Sequence, residues 1–279
     1  MDKYELVKDD FIEIEEGKKL YRIRALKDFS NVKTGELGGY IESESNLSQS
    51  DNAWVYDNAR VSGDACVYDN ARVYGNACVY GNAWVYGNAW VYDNARVSGN
   101  ACVYDNARVS GNAWVYDNAR VSGDAWVYDN ARVYGNACVY GNAWVYDNAW
   151  VSGNACVYGN ACVYGNAWVY DNAWVSGNAR VSGNAWVYGN ARVSGDACVC
   201  GNACVSYQND LVTVSNIGSR NSVTTFFKEV TGIGVVCGCF FGTIDDFEGK
   251  VKKVHKGNIH EQIYLKAIEL AKLQIKGVS

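Results

Sequence analysis

The residues that most often carry enzyme chemistry are scarce in this chain. It has two histidines, His255 and His260, and no Cys-x-x-Cys pair that would indicate a zinc site. His255 could join Cys237, Cys239 and the segment 219–221 in a small site, although ordinary packing and turn roles also account for these residues. We therefore predict no catalytic residues, no metal site and no cofactor.

Cysteine is the exception, with 11 residues in the chain. Most of them lie in a repetitive segment and take a position that holds Trp or Arg in other repeats. This substitution is typical of tolerated small side chains rather than of a disulfide framework. In the coil predicted below, Cys138 and Cys156 lie close enough to be bridged, and we expect free thiols in a reducing compartment.

The repetitive segment consists of 26 uninterrupted hexads from Asp51 to Ser206. Each hexad reads Asp or Gly, Asn or Asp, Ala, then Trp, Arg or Cys, then Val, then Tyr, Ser or Cys. Ala and Val alternate with variable residues, which is the period of a strand with one buried face. The Gly-Asn or Asp-Asn pair tolerates positive φ. Each hexad is therefore predicted to be a short strand followed by a corner.

Three hexads, or 18 residues, would close one triangular coil of a parallel solenoid. Stacked coils would pair nearly all strand N–H and C=O groups with the coils above and below. An antiparallel meander is disfavoured, because such short strands pair poorly and so many of them exceed the usual size of an open sheet. We expect about 8–9 coils, in which residues 18 apart are vertical neighbours at about 4.8 Å.

The hexads resemble a known repeat. Val55-Tyr-Asp-Asn-Ala-Arg60 and Val79-Tyr-Gly-Asn-Ala-Trp84 are similar to the hexapeptide repeat of the left-handed parallel β-helix, in which a small residue follows an aliphatic one. The resemblance implies a left-handed coil, whereas crossovers between parallel strands are otherwise right-handed. It also implies an acyltransferase-like enzyme as an alternative, but such enzymes use a His base and both histidines lie outside the hexads.

Counting in steps of 18 assigns the outward Trp and Arg side chains to faces of the coil. On two of these faces we predict a binding surface, formed by Trp54, Arg72, Trp90, Arg108, Trp126 and Trp144 on one and by Trp150, Trp168 and Trp186 on the other. Trp and Arg alternate on the first face, which favours cation–π stacking. Three interpretations stay open: stacking that only stabilises the sheets, a homo-oligomer (dimer or trimer), and binding of a host protein or small nucleotide.

Residues 1–50 differ in composition from the hexads at 51–206. The segments KYELV, FIEIEE and KLYRIRALKDF predict strands, with a hairpin turn at 16–18. Leu47 is predicted to begin an irregular first coil. Because the end of a solenoid exposes unpaired backbone, we predict that residues 1–50 form a β cap.

Residues 207–279 predict a small α+β module. DLVTVSNIG, SVTTFFKEV and GIGVVCGCFFG are predicted strands, and Thr243 is a predicted helix N-cap. Apolar residues at helical spacing predict helices at 244–255 and 259–276. The predicted fold class is therefore mainly β: a left-handed parallel β-helix with an N-terminal β cap and a small C-terminal α+β domain.

Segments outside the hexads carry a second resemblance. LGGYIESESNLSQ, GSRNSVTTFF and GCFFGTIDDFEGKV resemble uncharacterised proteins of bacteriophages and prophages, which implies a phage context and supplies no catalytic residues. No apolar run reaches the roughly 18 residues of a membrane span, and the N-terminus lacks the regions of a signal peptide. We therefore expect the bacterial cytosol as the location and no membrane partner.

Charge narrows the choice of partner. The hexads contain 12 Asp and 8 Arg, which gives them a net charge of −4, so extended nucleic acid is disfavoured. The sequence predicts a non-catalytic phage-type β-solenoid scaffold or binding protein that sequesters a host defence protein or a small nucleotide. A virion or filament-forming structural protein is an alternative, as is the acyltransferase-like enzyme.

Overall fold

The computed structural model describes residues 2–275, which form two compact units that meet in sequence at Asn148 and Ala149. The first unit contains the N-terminal strands and the hexads up to residue 148. The second contains the remaining hexads, four longer strands and two helices. The predicted fold class, a parallel β-solenoid with a small C-terminal α+β domain, is confirmed. The left-handed sense and the domain boundaries at 50 and 206 stay predictions.

The N-terminal region forms three strands and two short 3₁₀ helices. Strands β1 (Tyr4–Glu13), β2 (Lys19–Ala25) and β3 (Leu37–Ile41) pair antiparallel in that order. The 3₁₀ helices span Glu15–Gly17 and Glu44–Asn46. The first two predicted strands are one strand, because the chain continues through a shift of register within β1.

Strand β3 was not predicted, since two of its five residues are glycines. It pairs parallel with the hexad strand Arg60–Val61 and thereby joins the N-terminal strands to the solenoid sheet of this unit. The glycines permit a close approach: a Cβ on Gly39 would lie 2.5 Å from the carbonyl oxygen of Ala59. Leu47 forms a parallel bridge with Val67, as expected of an irregular coil before the hexads, but the parallel pairing already begins upstream at β3.

Each hexad contributes a two-residue strand made of its fourth residue and its Val. In the first unit these strands are β4–β19: Trp54–Val55, Arg60–Val61, Cys66–Val67, Arg72–Val73, Cys78–Val79, Trp84–Val85, Trp90–Val91, Arg96–Val97, Cys102–Val103, Arg108–Val109, Trp114–Val115, Arg120–Val121, Trp126–Val127, Arg132–Val133, Cys138–Val139 and Trp144–Val145. Every third strand pairs in parallel, as Trp90 does with Arg72 and Arg108. The prediction of 18 residues per coil is confirmed.

The interior of the coils contains only the Val and Ala positions of the hexads. Ala107 and Val109, for example, are 0% exposed. The corners lie at positive φ, as at Gly99 (66°) and Asp105 (57°), which Gly, Asp and Asn adopt most easily. The second residue of each hexad adds side-chain ladders along the corners, for example Asn70 Nδ2 donating to Asn88 Oδ1 at 3.1 Å.

Aspartates at the corners bind backbone of the next coil. Asp57 Oδ2 accepts the N–H of Gly75 at 3.1 Å, and Asp105 Oδ2 accepts that of Gly123 at 3.1 Å. A Cβ at a corner lies close to the backbone of the next coil, which favours glycine. Asp is accepted there because its carboxylate forms a hydrogen bond with that same backbone. This contact explains how Asp can occupy the first position of a hexad in place of Gly.

The second unit continues the same pattern and then changes. Its hexad strands are β20–β29: Trp150–Val151, Cys156–Val157, Cys162–Val163, Trp168–Val169, Trp174–Val175, Arg180–Val181, Trp186–Val187, Arg192–Val193, Cys198–Val199 and Cys204–Val205. A 3₁₀ helix, Gln208–Asp210, follows them. An antiparallel sheet then forms from β30–β33: Leu211–Ile217, Ser222–Glu229, Gly232–Cys237 and Phe240–Thr243. The predicted strand GIGVVCGCFFG is thus two strands joined by a tight turn.

Two helices pack on this sheet around a core that includes Phe226, Phe247 and Tyr264. Helix α1 spans Ile244–Val254, and helix α2 spans Ile259–Gln274. The predicted N-cap is confirmed, since Thr243 Oγ1 accepts the N–H of Asp246. Both predicted helices are present, and the predicted last residue of the second, at position 276, lies outside the described residues.

Candidate functional site

The face predicted from Trp54 to Trp144 lies in the first unit, and five of its side chains form a continuous column. We call Arg72, Trp90, Arg108, Trp126 and Trp144 the first ladder. The guanidinium carbon of Arg108 lies 4.9 Å from the ring centroid of Trp90 and 4.7 Å from that of Trp126. Arg72 lies 5.6 Å from Trp90, and Trp126 stacks on Trp144 at 5.6 Å. The predicted cation–π stacking is confirmed, and each such contact contributes about 0.5–2 kcal/mol.

Tyrosines from the sixth hexad position form a second column beside the first ladder. Tyr74 stacks on Tyr92 at 5.0 Å and Tyr128 stacks on Tyr146 at 4.9 Å, with Ser110 interrupting the column between the two pairs. Burial is the main cause that raises the pKa of Tyr74 to about 12. The Tyr74 phenol is therefore neutral near pH 7. The surface combines aromatic faces, hydroxyl groups and guanidinium charges.

Trp54 departs from the prediction. It occupies the expected vertical position next to Arg72 but is 0% exposed, because N-terminal side chains cover it. Tyr4 and Phe29 pack edge-on against its ring at 6.1 and 5.3 Å. The buried ammonium group of Lys3 donates to the carbonyl oxygen of Ala53 at 2.8 Å. The prediction that Trp54 belongs to the exposed binding surface is therefore wrong, and the residue is part of the core.

The N-terminal covering ends beside Arg72, where the surface becomes concave. A cavity of about 260 Å³ there is lined by Asn31, Tyr56, Asp57, Arg72, Tyr74 and Trp90. Tyr56 donates its hydroxyl to Asn31 Oδ1 at 3.0 Å, and Arg72 donates to Ser30 Oγ at 3.4 Å. The first ladder thus begins at a polar recess and continues as a flat aromatic surface.

The three tryptophans predicted for the second face lie in the second unit, where Cys204 is the next residue of the same column. We call Trp150, Trp168 and Trp186 the second ladder. Trp168 stacks on Trp150 at 4.5 Å and on Trp186 at 5.7 Å, with interplanar angles of 12° and 15°. Trp186 is 47% exposed. The predicted column is present, but it offers no guanidinium group between its rings.

Three further Trp–Arg contacts, around two tryptophans, were not included in the predicted site. Trp114 lies between Arg96 and Arg132, at 4.9 and 5.4 Å from the guanidinium carbons, and Trp174 lies 4.9 Å from Arg192. The signal that could have found them was already in the sequence, since each Trp has an Arg 18 residues away. Stacking of Trp with Arg therefore occurs on several faces of the hexads. The first ladder is the longest column of stacked Trp and Arg side chains within the first unit.

The 11 cysteines are all free thiols, including Cys138 and Cys156. The hexad that contains Cys198 and Cys200 is special, because Cys200 is the one cysteine at a Tyr or Ser position of the repeat. Hydrogen bonding from Cys200 is the main cause that lowers the pKa of Cys198 to about 7, and Arg180 lowers it further. Among residues 2–275 there is no group of three or more metal-ligating side chains placed to hold a metal ion.

The small site considered around His255 takes shape in the second unit. Ser219, Arg220, Cys237, Cys239 and His255 all line one cavity. His255 and His260 have ring centroids 5.8 Å apart. Sequence spacing could not join these residues, since the antiparallel sheet and the ends of two helices bring them together.

Neither helix in the described part of the chain is long and apolar enough to cross a membrane.

Comparisons with known proteins agree with the solenoid. A family model described as the YdcK beta solenoid repeat matches residues 53–69, 65–81, 71–87, 77–93, 101–117, 113–129, 125–141, 131–147, 155–171, 173–189 and 185–201. An Escherichia coli (strain K12) protein named "Uncharacterized acetyltransferase YdcK" is 37% identical over 68 residues. That match covers 22% of this chain and 21% of the relative, so the chain spans a minor part of that protein's length. The repeats establish a β-solenoid repeat protein.

Proposed function

We propose that this chain is a β-solenoid binding scaffold without a catalytic role, and that the first ladder is its recognition surface. The observation that carries the proposal is the guanidinium group of Arg108, held between two indole rings at 4.9 and 4.7 Å. Among the described residues, neither Arg72 nor Arg108 forms an ion pair with a carboxylate. Their charges are therefore fixed in position and free to meet an acidic partner.

Within residues 2–275, the nearby aspartates form no ion pair with the first ladder, since their carboxylates bond backbone N–H groups instead. Asp93 Oδ2, for example, accepts the backbone N–H of Gly111 at 3.2 Å. A partner with acidic groups next to apolar or aromatic side chains would match the alternating Arg and Trp positions. From Arg72 to Trp144 the ladder covers four coil spacings, about 19 Å in all. This length favours a protein surface over a single small nucleotide.

The proposed partner is a host protein, bound in the cytosol of a phage-infected or lysogenic bacterium. The resemblance of LGGYIESESNLSQ, GSRNSVTTFF and GCFFGTIDDFEGKV to phage and prophage proteins supports this setting. Sequestration of a defence protein is the form of binding that we propose. The same exposed rings could instead join copies of this chain into a dimer, a trimer or a filament. The experiment below distinguishes such self-association from binding of a host protein.

The experiment compares a ladder variant with a matched variant on another face. Trp126→Ala removes a ring of the first ladder, while Trp84→Ala removes an exposed ring that lies between Cys66 and Cys102 without an Arg neighbour. Sedimentation velocity over a range of concentrations first gives the mass of each protein. A photo-crosslinking amino acid placed at position 126 or at position 84 then captures neighbours in host cells, and mass spectrometry identifies them.

The proposal predicts one defined host protein crosslinked at position 126 and absent at position 84, with binding weakened by Trp126→Ala and retained by Trp84→Ala. If the crosslinked neighbour is this chain itself, the first ladder is a self-association surface, and the host-partner proposal is wrong. Equal crosslinking at both positions would also contradict the proposal. Particles that grow without limit with concentration would favour the filament alternative.

An acetyltransferase is a second candidate, because the relative matched over 68 residues carries that name. Both histidines of this chain lie in the C-terminal region rather than on the hexads, so the usual general base is absent from the solenoid sequence. Calorimetric titration of the full chain with acetyl-CoA separates the two functions. Saturable binding would favour the enzyme, and a flat titration would favour the scaffold.

A further inference from the structure

A cavity of about 190 Å³ lies within the second unit, at one side of the antiparallel sheet. It is surrounded by the turn that contains Ser219 and Arg220, by the turn after Cys237, and by helix α1 with Lys250 and its C-cap His255. We call it the C-terminal cavity. At roughly 30 Å³ per water molecule it has room for about six waters, so it suits a small ligand.

The ionisable side chains that line this cavity include basic residues but no carboxylic acid. Arg220, Lys250 and His255 contribute to its lining, which includes no Asp or Glu. Among the described residues, neither Arg220 nor Lys250 forms an ion pair with a carboxylate. A nearby acid of α1 is engaged elsewhere, since Glu248 accepts from Lys252 and Lys272. The cavity therefore favours an anionic ligand.

The remaining lining divides into hydroxyl groups and an apolar wall. Ser219, Ser222 and Tyr264 bring hydroxyl groups, while Phe240 and Phe247 contribute aromatic surface. A bare oxyanion would use the basic and hydroxyl groups and leave the aromatic surface without a partner. A ligand with one anionic group and a short apolar or aromatic body would use both.

The position of the Tyr264 hydroxyl is fixed by its neighbours. It lies 3.5 Å from Cys237 Sγ, which in turn accepts from Thr224 Oγ1 at 3.1 Å. A Cβ on Gly218 would come within 1.8 Å of the Tyr264 hydroxyl oxygen, so the turn must have glycine for the ring to lie here. Burial, together with Cys237, raises the pKa of Tyr264 well above its usual range, which keeps the hydroxyl able to donate.

We infer that the C-terminal cavity binds a small organic anion, consisting of one carboxylate or phosphate group on a short apolar or aromatic body. Arg220 and Lys250 would bind the anionic group, the hydroxyl groups would orient it, and Phe240 and Phe247 would cover its body. The inference is independent of the partner proposed for the first ladder, because the cavity and the ladder share no residue.

The test is calorimetric titration of the full chain with four probes: phenyl phosphate, benzoate, inorganic phosphate and phenol. The first two carry both features, and they distinguish a phosphate from a carboxylate ligand. Inorganic phosphate lacks the apolar body, and phenol lacks the charge. We expect saturable binding of phenyl phosphate or benzoate, at least tenfold weaker binding of inorganic phosphate, and no binding of phenol.

Variants then locate the site. Arg220→Gln and Lys250→Gln each remove a cavity charge, and Lys253→Gln removes an equal charge from the same helix outside the cavity. We expect each cavity variant to weaken binding about tenfold, the effect of losing a hydrogen bond to a charged group, and Lys253→Gln to leave binding unchanged. Circular dichroism confirms that each variant is folded, and either cavity variant alone can decide the result. Absence of binding by both organic anions, equal binding of phenol, or an equal loss in Lys253→Gln would overturn the inference.

Discussion

The hexads of the first unit and the C-terminal strands and helices differ in how a residue acquires its neighbours. In the hexads, the partner of a residue lies 18 positions away, as Arg108 shows for Trp90 and Trp126. In the C-terminal region, Cys237 meets Thr224 on one side and Tyr264 on the other, with no common spacing. The first arrangement repeats one surface, whereas the second can enclose a cavity.

This difference divides the chemistry between the two regions. The corner aspartates of the hexads bind backbone N–H groups, which leaves guanidinium groups to stack on indole rings. A long, flat, rigid surface results, and it suits a large partner. The C-terminal region has its basic groups around a concavity of about 190 Å³, which suits a small one.

The strongest test of the repetitive region changes its interior. Ala107→Leu adds bulk where the native side chain is 0% exposed, so we expect a loss of about 3 kcal/mol in the free energy of unfolding from overpacking. Trp84→Arg changes an outward residue that is 50% exposed, and we expect a change of at most about 0.5 kcal/mol. Urea unfolding measures both. Similar losses in the two variants would mean that the Ala positions are not tightly packed.

The next test compares two glycines with the same backbone angle. Gly99 (φ 66°) would place a Cβ 2.8 Å from the backbone N of Asp117, while Gly195 (φ 65°) has nothing within 4 Å. Replacement by Ala costs about 1–2 kcal/mol at either site because of the left-handed conformation. We expect Gly99→Ala to cost roughly 1 kcal/mol more, from the contact with the next coil. Equal losses in urea unfolding would contradict this reading of the corners.

The sequence could predict the hexads well, because arithmetic on an 18-residue period gives each neighbour directly. The buried Val and Ala positions and the contacts of Arg108 follow from that period alone. Burial of Trp54 could not be predicted, since the covering residues Tyr4 and Phe29 lie outside the period. Strand β3 was also missed, because its glycines signal close packing rather than a strand.

The candidate sites show the same division. All five residues of the first ladder were predicted, and Trp54 was wrongly included with them. The C-terminal cavity was considered only as a set of residue types, since its walls come from two turns and a helix that are far apart in sequence. Hexads predict vertical neighbours, whereas an irregular sheet requires its topology to be known before distant residues can be placed together.

A smaller effect is expected where Arg and Trp stack on the surface. Arg108→Gln loses contacts with Trp90 and Trp126, so we expect a loss of about 1–2 kcal/mol in urea unfolding. Arg120→Gln is the matched control, because Arg120 lies between Cys102 and Cys138 and has no ring above or below it. We expect that variant to change stability by at most about 0.5 kcal/mol. If both variants lose the same amount, the stacking contributes little.

The last comparison concerns Cys162 and Cys198, two thiols that lie in the same column of the solenoid. We expect it to show little effect on stability but a clear difference in thiol reactivity. Arg180 is the vertical neighbour of both Cys162 and Cys198, and only Cys198 also receives a hydrogen bond from Cys200. The pKa of Cys198 is lowered to about 7, while burial raises that of Cys162. The reactive thiolate of Cys198 therefore forms as the pH rises through about 7, well below the range of Cys162.

Alkylation with iodoacetamide, followed by mass spectrometry at a series of pH values, should show Cys198 modified with a midpoint near pH 7 and Cys162 modified only in more alkaline solution. Cys200→Ala removes the hydrogen-bond donor and should move the midpoint of Cys198 upwards. Cys200→Ser keeps a donor and should largely retain it. If Cys200→Ala leaves the midpoint in place, the Arg180 charge alone sets the reactivity of Cys198, and Cys162 beside the same charge should then match it.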